Sequence, residues 1–208
     1  MAQTHYPKPA FLSDFTIHAS VRRYFEALYN LINDFEVGYP VAHYTEEELS
    51  QLETHFEIKL SKVFRDFCLV ASTNGRYYFG SYNLRSFKDV MNISGHVEKY
   101  IKGIPDDENK LFKSSKPIPF GDDCVGNDIF LDFISNSEYQ ISMFGSEEES
   151  VINTPNFENF LDGISKQMEE GNIIVQDGYL DGDDDIMIRE IEWQIRTEEM
   201  FKTENQSQ

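Results

Sequence analysis

Cysteine is almost missing from this chain, with two residues in 208. A disulfide scaffold and a thiolate metal cluster are therefore not expected. Cys68 lies within the apolar run FRDFCLVA, which reads as a helix of the core, so a buried free thiol is expected there; Cys124 is the other cysteine. Long apolar runs are also lacking, since no stretch of 18 apolar residues occurs. The opening MAQTHYPKPAFLSDF has no basic start followed by an apolar segment of signal-peptide length, and a cytoplasmic protein is the expectation. Sequence signatures of catalysis are missing too: there is no HExxH, GxSxG, GxGxxG, P-loop or pair of CxxC motifs. His5, His18, His43, His55 and His96 are separated from one another and from both cysteines. No catalytic residue, cofactor or metal ligand is expected. Pairs of carboxylates say nothing of hydrolysis in a chain with 37 acids.

Basic residues are the last scarcity, with 18 Lys and Arg against 37 Asp and Glu. The formal charge is −19, and its placement is uneven. Residues 1–44 carry 3 bases and 4 acids, residues 45–120 carry 11 of each, and residues 121–208 carry 4 bases and 22 acids, for nets of −1, 0 and −18. The final 88 residues should repel nucleic acid and anionic lipid and attract a cationic surface, so a protein partner is expected rather than DNA, RNA or a membrane. The same acidity would also serve solubility alone.

Aromatic residues are plentiful, with 17 Phe and 11 Tyr, and the chain is 40% hydrophobic. That is enough for one sizeable core. Val21, Tyr24, Phe25, Leu28, Leu31, Ile32 and Phe35 fall at helical spacing before Gly38 and Pro40. Thr45 followed by Glu48 predicts a capping box opening a second helix through Leu49, Leu52 and Phe56. Ser61 should cap a third, carrying Val63, Phe64, Phe67, Cys68 and Val70 and ending at Asn74 and Gly75. The period then changes. RYYFGSY (76–82) reads as a strand, Ser86 caps a short helix over FKDVM, and residues 95–109 read as polar helix or loop. Residues 118–120, 129–133 and 139–144 predict three strands with links too short for parallel crossovers, hence an antiparallel meander. Phe157, Phe160, Leu161 and Ile164 mark another helix, Ile173–Val175 a short strand, DGYLDGDDD an acidic loop, and Ile188, Ile191 and Ile195 a last helix with Trp193 off its stripe. The fold class expected is α+β, a mostly antiparallel twisted sheet packed by N-terminal and C-terminal helices.

Several of these segments together resemble the SUKH superfamily. They are TEEELSQL with Glu53, IKLSKVFRDF (58–67), Asn74 and Gly75, LRSFKDV (84–90), PFGDDCVGNDIFLD (119–132), Tyr139–Ile141 and FENFL (157–161), in the family's order. The resemblance covers about residues 45–165. It divides the chain into an arm and helix over 1–44, a SUKH-like core over 45–165, and an acidic extension over 166–208 packing on the same domain. One departure is Ser61, where the family usually has proline. What the resemblance implies is a platform for binding protein without an active site. Many bacterial members look like immunity proteins that neutralise a toxin; others resemble fungal cell-wall assembly regulators of the Smi/Knr type, or the Syd protein. The first alternative expects a basic toxin domain as partner, the second a non-catalytic scaffold or regulator.

Toxins that cut nucleic acid need basic clefts, which an acidic surface could occupy. The candidate contacts are Asp122, Asp123 and Asp128 at a strand turn, Glu147, Glu148 and Glu149, and Asp181, Asp183, Asp184 and Asp185. Tyr77, Tyr78, Tyr82 and Trp193 are the candidate aromatic anchors. Solvated charge and core packing are the plainer roles for each of them. Residues 181–192 place acids at positions 1, 3, 5 and 12 of a calcium loop, but position 6, which needs glycine, is Ile186, and a metal is not expected.

Overall fold

The computed structural model describes residues 8–31, 43–71, 83–103, 117–122, 128–135, 137–144, 156–176 and 179–182. Within them lie five helices and six strands, an α+β arrangement. Four strands form an antiparallel sheet in the order β1 (Asn83–Leu84), β2 (Ile118–Asp122), β3 (Asp128–Phe133), β4 (Tyr139–Phe144), the expected meander with one short strand added at its edge. A hairpin of β5 (Ile173–Gln176) and β6 (Tyr179–Gly182) stands apart from it.

Helix α1 (Ala19–Leu31) buries Val21, Tyr24, Phe25 and Leu28, the stripe read from the sequence, and packs on α5 (Phe157–Glu170) and α3 (Lys62–Val70). α2 (Glu46–Phe56) opens as its residues dictate: Thr45 Oγ1 accepts from the Glu48 amide at 3.1 Å, and the Glu48 carboxylate accepts from the Thr45 amide at 2.8 Å. It closes on Glu57, held left-handed at φ 57°. Ser61 caps α3 by accepting from the Phe64 amide at 3.3 Å. α3 ends sooner than expected. Ala71 is already extended at ψ 141°, and its amide donates to the Phe67 carbonyl, so Asn74 and Gly75 do not terminate the helix. α4 (Phe87–Gly103) is one continuous helix of 17 residues where a short helix followed by helix or loop was expected. Ser86 caps it as predicted, accepting from the Asp89 amide at 3.2 Å.

The core is aromatic. Phe64 meets Phe120 and Phe157 edge to face at 5.5 and 4.9 Å, and Phe67 lies 5.4 Å from Phe25 and 5.3 Å from Phe157. These rings join α1, α3, α5 and the sheet. Ile129, Leu131 and Phe133 of β3 point into this core. Phe130 and Asp132 alternate onto the other sheet face, where Phe130, Asp132 and Ser142 are buried as well. Burial on both faces is why β3 reads DIFLDF rather than as a clean polar alternation.

Pro119 sits within β2 at a register irregularity between Pro119 and Gly121, beyond the two residues that β1 pairs. At Gly121 a Cβ would stand 3.0 Å from the Asn83 carbonyl oxygen, so glycine lets β1 approach. α5 stops at Gly171, whose φ of 77° suits a residue without a side chain. The sequence reads residues 177–185 as an acidic loop, but residues 179–182 of it form a strand paired with β5, Asp181 opposite Ile174. The expected strand 76–82, the helix end at Ile32–Pro40, the tail of residues 104–109, Cys124 and the last helix from Ile186 lie outside the described residues.

Candidate functional site

Two of the candidate acids fall on described side chains. Asp122 ends β2, Asp128 begins β3, and the two are register partners across the turn. Like charges directly opposite one another repel. Arg85 resolves this. It lies between β1 and α4, its Nε donates to Asp122 Oδ2 at 3.0 Å, and its Nη2 donates to Asp128 Oδ1 at 2.5 Å. The backbone of Arg85 is held at both ends: its amide donates to the Phe120 carbonyl at 2.8 Å, and its carbonyl accepts from the Tyr44 hydroxyl at 2.6 Å. The guanidinium side chain is 12% exposed and the two carboxylates 29% and 27%. One cation thus serves two half-buried acids, and the cluster presents a net charge of −1 rather than −2. Arg85 escaped the sequence reading because only the strand register brings position 85 to positions 122 and 128.

Asp181 is placed by its backbone on β6. Asp123, Glu147, Glu148, Glu149, Asp183, Asp184, Asp185, Tyr77, Tyr78, Tyr82 and Trp193 lie outside the described residues, as does most of the calcium-like stretch.

Other acids of the last third are paired with α1 at the surface. Arg23 of α1 pairs with Glu169 at 2.7 Å and Asp162 at 3.5 Å on α5. The Ser20 hydroxyl donates to Asp162 at 3.2 Å, and His18 Nε2 stands 3.9 Å from Glu158. Hydrogen bonding to Arg23 holds the Glu169 carboxyl below its ordinary value and raises Arg23 in return. Asp132 is fully buried on β3 and accepts from Gln140 Nε2 at 2.9 Å, a buried acid with no local signal in the sequence.

Three buried groups, Cys68, Tyr44 and Tyr139, are held neutral. Burial pushes the Cys68 thiol and the Tyr44 phenol well up, and Tyr139 up in spite of its hydrogen bonds to Ser61 and Phe157. Cys68 is a free, buried thiol, as its sequence context predicts. A thiol that resists ionisation is a poor nucleophile. Among the described residues no three His, Cys, Asp or Glu side chains are grouped to hold a metal ion, and no described helix is long and apolar enough to cross a membrane.

No curated protein matches the chain. The model of one family does match, over residues 43–163, more than half of the chain and nearly the 45–165 marked out by the motifs. It begins beside Tyr44, ends within α5, and includes the capped α2 and α3, the meander and the Arg85 cluster. Members of that family include immunity proteins and cell-wall regulators, and they act through contacts with other proteins. The protein belongs to the SMI1 / KNR4 family (SUKH-1).

Proposed function

We propose that this chain is an immunity protein, which binds a cognate toxin domain and blocks it by covering its active surface. The observation that carries the reading is the net charge of −18 on residues 121–208, set on a scaffold of a family that includes immunity proteins. A toxin that grips phosphate must display cationic side chains around its cleft. A dense acidic surface competes for that cleft and speeds encounter over distances of about a Debye length, roughly 8–10 Å at physiological salt. Nothing in this mechanism requires a reacting group; occlusion needs a surface carried on a stable scaffold, and the aromatic core supports such a scaffold.

The reading places a toxin gene next to this one, and the test is co-expression with the domain encoded there, together with binding measured at about 50 and 500 mM salt. Protection of the cell, with affinity falling on the order of tenfold or more between the two conditions, is expected. Cells that die at the same rate with and without this protein would remove the reading.

A further inference from the structure

Phe15 is the one exposed Phe, Tyr or Trp among the described side chains, 82% accessible, while the other described phenylalanine side chains are buried wholly or in part. Its position is not slack. The Asp14 carboxylate accepts from the Thr16 amide at 2.9 Å and the Thr16 hydroxyl at 2.7 Å, and the Asp14 amide donates to the Phe11 carbonyl at 3.0 Å. Downstream, the His18 amide donates to Asp66 at 2.6 Å, and the Lys62 ammonium donates to the Thr16 carbonyl at 2.8 Å, so the loop is bolted to α3. Upstream, Leu12 is buried and the ring of Phe11 meets that of Phe25 at 5.3 Å. The backbone on each side of Phe15 is thereby fixed while the ring itself stands in water.

Arg22 completes the arrangement. Its guanidinium carbon lies 4.6 Å from the centre of the Phe15 ring, and its Nε donates to the Ile17 carbonyl at 3.2 Å. Among the described residues it makes no ion pair, unlike Arg23, Arg65 and Arg85, and the Asp14 carboxylate acts on it only at longer range. A preorganised aromatic beside an arginine is the composition of a binding hot spot, because little ordering entropy remains to be lost when it is buried. Burying Phe15 would also take the guanidinium out of water. An unpaired buried charge is costly, so the receiving surface must offer it an anion.

We infer that Phe15 and Arg22 form a protruding anchor that enters an apolar socket with a carboxylate on its rim on the toxin domain. The anchor lies in sequence before the family-matched residues and outside residues 121–208. This inference rests on the immunity reading for the identity of the partner.

The experiment measures affinity for a catalytically inactivated form of the toxin domain encoded beside this gene, with full-length protein carrying Phe15→Ala, Phe15→Leu or Arg22→Gln. Phe15→Ala should weaken binding on the order of 30-fold, Arg22→Gln about tenfold, and Phe15→Leu only a few-fold. The Phe15→Ala loss should be of similar size at low and high salt, which sets it apart from the contribution of the acids. Melting temperature of Phe15→Ala should change little, because the ring is 82% accessible. Wild-type protein that binds, with Phe15→Ala within twofold of it, overturns the anchor and leaves the immunity reading standing. Wild-type protein that does not bind overturns both.

Discussion

Replacing Tyr139 with phenylalanine removes a single oxygen atom from the place where β4, α3 and α5 meet. The phenol is buried, lies 2.7 Å from the Ser61 hydroxyl, and accepts from the Phe157 amide at 3.3 Å. Ser61 is the residue that caps α3, and Phe157 is the first residue of α5, whose amide falls outside the intrahelical ladder. The ring stays in place in the variant, so no cavity opens. What is lost is one net hydrogen bond, about 1 kcal/mol, together with the acceptor of a buried amide, a further 1–2 kcal/mol. The expected cost is about 2–3 kcal/mol, or roughly 4–12 °C in melting temperature for a domain of this size. Urea unfolding followed by circular dichroism would measure it, with an unchanged slope showing that the denatured state is the same. Ser61→Ala in the same background gives a double-mutant cycle, in which a coupling of about 1 kcal/mol is expected. Tyr139→Phe within about 0.5 kcal/mol of wild type, or a coupling of zero, would refute the view that Ser61 holds its place here through this junction.

Glu57→Gly should raise stability by about 0.5–1 kcal/mol, because it relieves a left-handed residue at the end of α2; a lower melting temperature would count against that account. Arg85→Gln should cost about 2–4 kcal/mol by leaving Asp122 and Asp128 opposed, and Asp122→Asn in the same chain should restore part of it in urea unfolding. Alkaline stability should fall from about pH 9 upward. Cys68, Tyr44 and Tyr139 keep their protons in the folded state beyond the ordinary values of 9.0 and 10.0, so above those values the unfolded chain binds fewer protons and gains relative stability. Each group contributes up to about 1.4 kcal/mol per pH unit, and a stability profile flat to pH 11 would contradict their burial.

Local signals were the legible ones. The capping box at Thr45 and the caps at Ser61 and Ser86 are contained within four residues each, and the structure forms all three. The meander was legible from strand spacing, since links of a few residues leave antiparallel pairing as the only geometry. α4 was cut short because its C-terminal half carries Gly95 and weak periodicity; yet a Cβ at Gly95 would meet nothing within 4 Å, so that glycine marks an open face and no break. β1 is two residues long, below what any pattern resolves. β6 was hidden because the acids of 177–185 overshadow its pairing with β5. The Arg85 cluster and the buried Asp132 depend on register and on coverage of the second sheet face, which are properties of the assembled sheet and not of any window of sequence.

The charge that suggests a cationic partner divides into two populations once the contacts are known. Of the 22 acids in residues 121–208, eight have described side chains: Asp122, Asp128, Asp132, Glu138, Glu158, Asp162, Glu169 and Glu170. Arginines hold Asp122, Asp128, Asp162 and Glu169, Lys166 stands 3.8 Å from Glu170, His18 faces Glu158, and Gln140 binds Asp132. Pairs on the surface contribute about 0–1 kcal/mol each, but they do cancel field. Three cations, Arg85, Arg23 and Lys166, thus offset part of the charge of these eight, and the other 14 acids of the segment, among them Glu147, Glu148, Glu149 and Asp183, Asp184 and Asp185, lie on side chains outside the described ones. Reversing Asp122 or Asp128 to lysine would set a second cation against Arg85 and perturb the sheet itself, so a loss of binding in such a variant would report on folding. Reversal at positions 147–149 and 183–185, with the melting temperature of each variant measured beside its affinity, is the perturbation that tests recognition by charge: lost affinity at an unchanged melting temperature supports it, and unchanged affinity refutes it.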